Sequence, residues 1–362
     1  MFFTSLATFL LLPAAIRAAA ITNSTIACNN SPALCSKTYG QVTYLGAHDS
    51  PFVRDESTGF STSGNQYYNS TVQLSAGVRL LTAQVQIPDG STALHVCHTS
   101  CDLLDAGSLT DWLIEVRTWL ESNPNEVVTL LLVNGVNALG SELTAQYDAA
   151  GITSSLAYTP SGPSSTSQNW PTLQSLISSG TRLINFVPDL NENSGAPFLM
   201  NEWNYVFEND YEITSPSDFS CDLNRPANLI NRTPQAVSNG MMPLMNHFLY
   251  HTDEGSLFSI EQPNATYVTT TNGEAGLGNL GTAAETCRST YGRAPTFILV
   301  DFWNVGPAIA TVDQLNGVSS PVGRARVSTA NEAPTSDAAP PPARTWTLCL
   351  MSIALLVTYA VL

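Results

Sequence analysis

The run Thr43-Tyr44-Leu45-Gly46-Ala47-His48-Asp49-Ser50-Pro51-Phe52 decides how this chain is read, because an apolar strand ends there with a histidine and a carboxylate side by side. Two later runs end in the same way. Ala93-Leu94-His95-Val96-Cys97 is followed by His98, and Phe297-Ile298-Leu299-Val300 delivers Asp301. Two imidazoles and two carboxylates at strand C-termini suit an acid/base enzyme on a (β/α) barrel, since such barrels collect their chemistry on that face.

Outward from that run, apolar and β-branched stretches predict eight strands: Gln41–Ala47, Arg79–Val85, Ala93–Cys97, Glu126–Val133, Arg182–Val187, Tyr205–Glu208, Pro243–Phe248 and Thr296–Asp301. Between them Leu109, Trp112, Leu113, Val116 and Leu120 recur at helical spacing, with Ser108 at the cap position and Asp111 in the first turn. Thr172 to Ser178 reads as a second, short helix. Strands alternating with helices imply an α/β fold with a parallel barrel, blurred by long irregular segments at 185–218 and 250–281.

The ends are of different character. Residues 1–20 read as a secretory signal, with the apolar run Phe9-Leu10-Leu11-Leu12 and the small residues Ala18-Ala19-Ala20 for cleavage. Residues 326–345 read as a Pro/Ala/Ser-rich stalk and 346–362 as an uncharged apolar tail, the order of a GPI-attachment signal, with Asn331 and Ser336 as attachment candidates. A retained membrane helix is the competing reading of the tail. What lies between, 21–325, suits one barrel. The expected product is therefore an extracellular, cell-surface monomer. Sequons at Asn23, Asn69, Asn231 and Asn264 fit a glycoprotein.

Of seven cysteines, Cys349 lies in the tail, leaving Cys28, Cys35, Cys97, Cys101, Cys221 and Cys287. An even set in a secreted chain implies disulfides, whose connectivity sequence alone leaves open; pairing in chain order is the reading adopted. With 29 acidic and 13 basic residues, the formal charge of −16 argues against nucleic acid and against charge-driven binding to anionic membranes.

Five short blocks, in family order over roughly residues 38–310, resemble the phosphatidylinositol-specific phospholipase C X-domain superfamily, and above all its fungal secreted branch of PLC-like phosphodiesterases. They are Gly46-Ala47-His48-Asp49-Ser50, Ala76-Gly77-Val78-Arg79-Leu80-Leu81, His98-Thr99-Ser100-Cys101, Asn123-Pro124-Asn125-Glu126-Val127-Val128-Thr129-Leu130 and Val300-Asp301-Phe302. The resemblance implies a TIM-type (β/α)8 barrel, distorted in places, acting as a phosphoric diester hydrolase on a phospholipid or related phosphodiester. It makes His48 the base and His98 the acid, with Asp49 and Asp301 orienting the imidazoles and stabilising their charge. Histidine chemistry suits that task, because one ring can start neutral and the other protonated near neutral pH.

The second strand departs from the pattern. Bacterial phosphatidylinositol phospholipases carry an Asp and an Arg there, and metal-dependent relatives two carboxylates; this chain has Thr82-Ala83-Gln84. No metal or other cofactor is therefore expected, and Gln84 is left as a neutral donor to a phosphate oxygen. Glu208 is expected on the pocket wall. Strand alternation admits only one of His95 and His98 to the site, and His95 is read as structural. Two other signals are weak. His247 and His251 have the spacing of a helical zinc pair without the adjoining Glu, and Glu202 with Glu208 imitates a glycosidase carboxylate pair. The alternative to an enzyme is a catalytically impaired barrel that binds lipid or glycan head groups.

Overall fold

Gly46 shows how the strands pack: a Cβ there would lie 2.5 Å from Leu299 Cδ2 and 2.8 Å from Leu80 Cδ2, so only glycine lets those two side chains meet inside the barrel. The computed structural model describes residues 26–160, 170–190, 196–252 and 261–334. The expected leader and apolar tail, the stalk from 335 onward, Asn23, Ser336 and Cys349 lie outside the described residues. No helix among the described residues is long and apolar enough to cross a membrane.

The strands are β1 (Tyr44–Ala47), β2 (Leu80–Gln86), β3 (His95–Cys97), β4 (Asp105–Ser108), β5 (Val128–Asn134), β6 (Leu183–Val187), β7 (Leu199–Asn201), β8 (Val206–Glu208), β9 (Met242–Asn246), β10 (Tyr250–Thr252), β11 (Glu261–Pro263) and β12 (Phe297–Val300). Eight of them form a curled parallel sheet in the order β7-β6-β5-β2-β1-β12-β9-β8. Helices α1 (Ser70–Ala76), α2 (Leu109–Ser122), α3 (Gly140–Ala149), α4 (Leu173–Ser179), α5 (Thr233–Ser238), α6 (Val268–Thr271), α7 (Leu280–Tyr291) and α8 (Ala308–Asn316) connect them. The expected caps are present: Ser108 Oγ accepts from Asp111 N at 3.0 Å and Thr172 Oγ1 from Ser175 N at 3.1 Å.

The fold is thus the expected α/β barrel, with two corrections. The run Ala93–Cys97 is not a barrel strand: β3 pairs antiparallel with β2, Val96 opposite Val85, and forms a hairpin with β4. The eighth parallel strand is β7, inside the segment read as irregular. No ladder joins β7 to β8 among the described residues, so the barrel is open at that seam. Connection length explains it. Parallel neighbours need a crossover of about a dozen residues, and only a 3-10 turn, Glu202–Asn204, with Tyr205 separates these two strands.

Alternate residues along each strand enter different cores. Tyr44, Leu80, Leu131, Ile184, Phe186, Phe297 and Leu299 fill the barrel, while Leu45, Leu81, Leu130, Leu132, Ile298 and Val300 pack under the helices. The disulfides are Cys28–Cys35, Cys97–Cys101 and Cys221–Cys287, as chain-order pairing anticipated. After α8 the chain runs up the outside of the barrel as a strap. Val322 N donates to Asn30 O and Ala325 N to Ser75 O. Higher up, Asn304 Nδ2 donates to Ser328 O and Ala330 O, Tyr67 Oη to Asn331 Oδ1, and Asn331 Nδ2 to Ala265 O. Residues 326–331, assigned by composition to the stalk, therefore lie along the folded body.

Candidate active site

Toward the C-terminal rim the inward positions turn from apolar to polar: Leu80 gives way to Thr82 and Gln84 on β2, Val206 to Glu208 on β8, and Leu244 to Asn246 on β9. Two residues beyond Gly46, the same parity points His48 inward. These side chains line a cavity of about 830 Å³ with His98, Thr99, Glu202, Trp203, Tyr211, Arg225, Phe248 and Tyr250 among its other walls.

His48 is fixed from three sides. Its Nδ1 lies 2.9 Å from Asp301 Oδ1, and Asn65 Nδ2 donates to the same carboxylate oxygen at 3.0 Å. Its ring stacks on Phe248, with centroids 3.7 Å apart and planes within 1°. Gln66 Nε2 donates to the carbonyls of His48 and Val300, tying the ends of β1 and β12 together. With Nδ1 held by Asp301, Nε2 is the atom presented to the pocket.

Asp49 follows His48 directly, and in a regular strand it would point to the opposite face. It instead adopts φ of 48°, and its backbone N–H donates to Thr82 Oγ1 at 2.7 Å. Left-handed backbone is tolerable for Asp and breaks the alternation. Asp49 Oδ2 consequently lies 3.6 Å from His48 Nε2 and 3.6 Å from His98 Nε2. His98 arrives because β3 runs antiparallel to β2, so its C-terminal end turns back beside the barrel rim, where the Cys97–Cys101 disulfide closes the loop. The Phe52 ring meets its imidazole edge-on at 5.4 Å.

The two imidazoles are shifted in opposite directions. Burial pushes the His48 pKa down, but the carboxylates of Asp49 and Asp301 outweigh it and leave the value above 6.5. For His98 burial prevails over the attraction of Asp49, and the nearby His48 adds to the fall, so its pKa lies below 6.5.

The structure brings His48, Asp49, His98 and Asp301 together and places Gln84 beside them on the cavity wall. The Gln84 Nε2 donates to Asp49 Oδ2 at 2.7 Å and its Oε1 accepts from Thr99 N at 2.8 Å, so it braces the shared carboxylate and the His98 loop. Glu208 is on the wall as expected, ion-paired with Arg225 and receiving Asn246 Nδ2 at 3.2 Å. His95 pairs with Asp105 at 2.9 Å on the outer hairpin. Those two with Cys97 form the one metal-spaced cluster among the described residues, and the disulfide removes the Cys97 thiolate. In the pocket Asp49 and Asp301 are paired with imidazoles and Glu208 with Arg225.

His247 and His251 share no helix, since His247 follows β9 and His251 lies in β10. His247 is buried against Phe219 with its Nε2 3.0 Å from Thr271 O, and burial lowers its pKa to about 4. The glycosidase pairing also fails. Glu202 and Glu208 lie within hydrogen-bonding reach of each other, whereas two carboxyls flanking a glycosidic bond stand about 5 Å or more apart.

Sequence reasoning missed Arg225. It reaches the wall through a two-way backbone bridge, Glu208 N to Arg225 O at 2.9 Å and Arg225 N to Glu208 O at 3.1 Å. Its guanidinium lies 4.2 Å from the Tyr211 ring centroid and 5.8 Å from that of Trp203. Burial lowers its pKa, but Glu208 and Glu202 raise it more. Arg225 is the pocket-lining arginine, and no sequence motif marks it.

The family model "PI-PLC X 1" matches residues 34–316. PI-PLC X domain-containing protein 1 of Arthroderma benhamiae is 35% identical over 309 residues, covering 85% of this chain and 95% of that protein. An uncharacterized secreted protein of the same fungus is 35% identical over 291 residues, covering 80% of this chain but 62% of that longer protein. A phosphatidylinositol-specific phospholipase C structure from Staphylococcus aureus superposes with a TM-score of 0.51 at 16% identity, covering 79% of this chain and 95% of that one, which shows a shared fold. With a family match over most of its length and a full-length relative at that identity, this chain belongs to the PI-PLC X family.

Proposed function

We propose that the pocket cleaves phosphodiesters of the phospholipid type by two-histidine acid/base catalysis. The observation that carries this reading is the convergence of His48 Nε2 and His98 Nε2 on one carboxylate oxygen, each at 3.6 Å. A hydroxyl of the substrate gives its proton to His48 as it attacks phosphorus. His98 protonates the departing oxygen. Asp301 keeps the His48 tautomer and supports its positive charge, and Asp49 does so for both rings. The head group's remaining hydroxyls face Glu208 and Arg225 in the other half of the cavity. Neither Thr82 nor Gln84 can replace the β2 arginine of bacterial relatives, so charge on the transition state is met by the imidazoles.

The leader, the apolar tail and a relative named as secreted support an extracellular protein tethered at the cell surface by a GPI anchor. A second reading, a barrel that binds such head groups without cleaving them, is favoured by one observation: the inward end of β2 carries Thr82 and Gln84, with no cation for the phosphate.

One experiment separates the two. The secreted product of the full chain is assayed on vesicles containing phosphatidylinositol or other phosphodiester lipids, with and without chelator, beside a His48→Ala variant. Turnover that survives chelation and disappears in the variant is expected. Binding without turnover favours the second reading, and a strict calcium requirement overturns the site assignment.

A further inference from the structure

The seam where β7 and β8 fail to pair holds a carboxyl group that accepts no hydrogen bond. Glu202 is completely buried, and neither of its side-chain oxygens has a hydrogen-bond partner among the groups of the folded chain that can donate. Glu208 on β8 faces it as an acceptor and Asp189 after β6 adds negative charge, while the nearby Arg225 gives its Nη2 to Glu208 and makes no hydrogen bond to Glu202. Arg225 Nη2 and Asn246 Nδ2 both donate to Glu208 Oε2, and Glu208 Oε1 takes no donor from the described residues. Two adjacent acceptors in a buried site, one with no partner at all, cannot both stay ionised at tolerable cost.

We propose that Glu202 retains its proton in the folded protein and donates it to Glu208 Oε1, so that the pair carries a single negative charge, which Arg225 balances. Glu202 is then a positioning residue. It completes the shell of donors around Glu208, holds that carboxylate against Arg225 and leaves this wall of the cavity electrically neutral. Burial first, and the adjoining Glu208 second, push the Glu202 pKa upward, in agreement with this arrangement. The inference concerns the resting protein and holds whether or not the cavity cleaves a phosphodiester.

The sign of its pH dependence is fixed. A carboxyl whose folded pKa is raised keeps a proton that the unfolded chain releases, so stability falls as pH climbs from the unfolded value toward the folded one. Glu202→Gln keeps a donor for Glu208 and cannot ionise. The test is unfolding of the full chain and of this variant at several pH values between 5 and 8.5. The folding constant of the wild type should drop relative to the variant by up to ten-fold per pH unit. A pH-independent difference overturns the proposal. Infrared spectroscopy at pH 7 gives the second readout, and it needs the wild type alone if the variant does not fold. A protonated-carboxyl band in the wild type, absent from Glu202→Gln where that variant can be made, supports the proposal, and its absence from the wild type overturns it.

Discussion

The cavity has two halves built by different means. On one side His48, Asp49 and Asp301 lie at the ends of adjacent parallel strands, and His98 returns to them on a short hairpin. On the other side Glu202, Glu208 and Arg225 meet across an open seam and an isolated backbone bridge. The first half is set by strand register at the adjacent ends of β1 and β12. The second is set by how long loops return to the barrel. The first suits fixed proton-transfer geometry, and the second can vary with the ligand while the barrel stays unchanged.

The largest test of that division is His48→Ala, expected to cost between about 10²- and 10⁴-fold in turnover with the fold retained. Substitutions of Arg225 should not reproduce such a loss in kcat; if they do, the halves are not separable. His98→Ala should cost as much on a lipid with a poor alkoxide leaving group but much less on an aryl phosphodiester, whose departing oxygen needs little protonation. An equal loss on both substrates would break the assignment of His98 as the acid.

The pH dependence sharpens the same point. The proposed mechanism needs His48 neutral and His98 protonated, yet the His48 pKa is raised and the His98 pKa lowered. The doubly correct form is therefore a minor one. Between the two values kcat/KM should hold a plateau, falling below a lower edge under pH 6.5 and above an upper edge over it. A plateau lying wholly on one side of 6.5 would contradict the opposed shifts.

Smaller effects belong to the second half and to the brace. Arg225→Lys loses the planar stacking on Tyr211 and should raise KM about ten-fold with little change in kcat. Gln84→Ala removes one hydrogen bond to Asp49 and one from Thr99 N, and should lower kcat by only a few-fold, on the order of 1 kcal/mol. A Gln84 effect as large as that of His98→Ala would mean that the amide touches substrate after all.

How much could be read from the chain follows the same line. Strand parity alone carries His48 and Asp301 inward, and cap residues locate α2 and α4. The antiparallel direction of β3 was not legible, because its five-residue apolar run looks like any other strand. β7 was hidden because three residues, Leu199–Asn201, are too few for periodicity to declare. The left-handed Asp49, the brace by Gln84 and the arrival of Arg225 all depend on contacts across 15 or more positions, which no local pattern encodes.

The strap after α8 has a directional consequence. It begins beside Asn30 and Ser75 at the N-terminal end of the barrel and finishes at Asn331, pinned by Tyr67 and Ala265. The Tyr67 ring packs at a tilt against Phe302, the residue after Asp301, with ring centroids 4.5 Å apart. The polypeptide is thus carried the full height of the barrel to the rim that bears His48, where Ala333 still packs against the core. A leash leaving from that rim would hold the mouth of the cavity toward the surface to which the leash is fastened, whereas one leaving from Asn316 at the end of α8 would hold it outward.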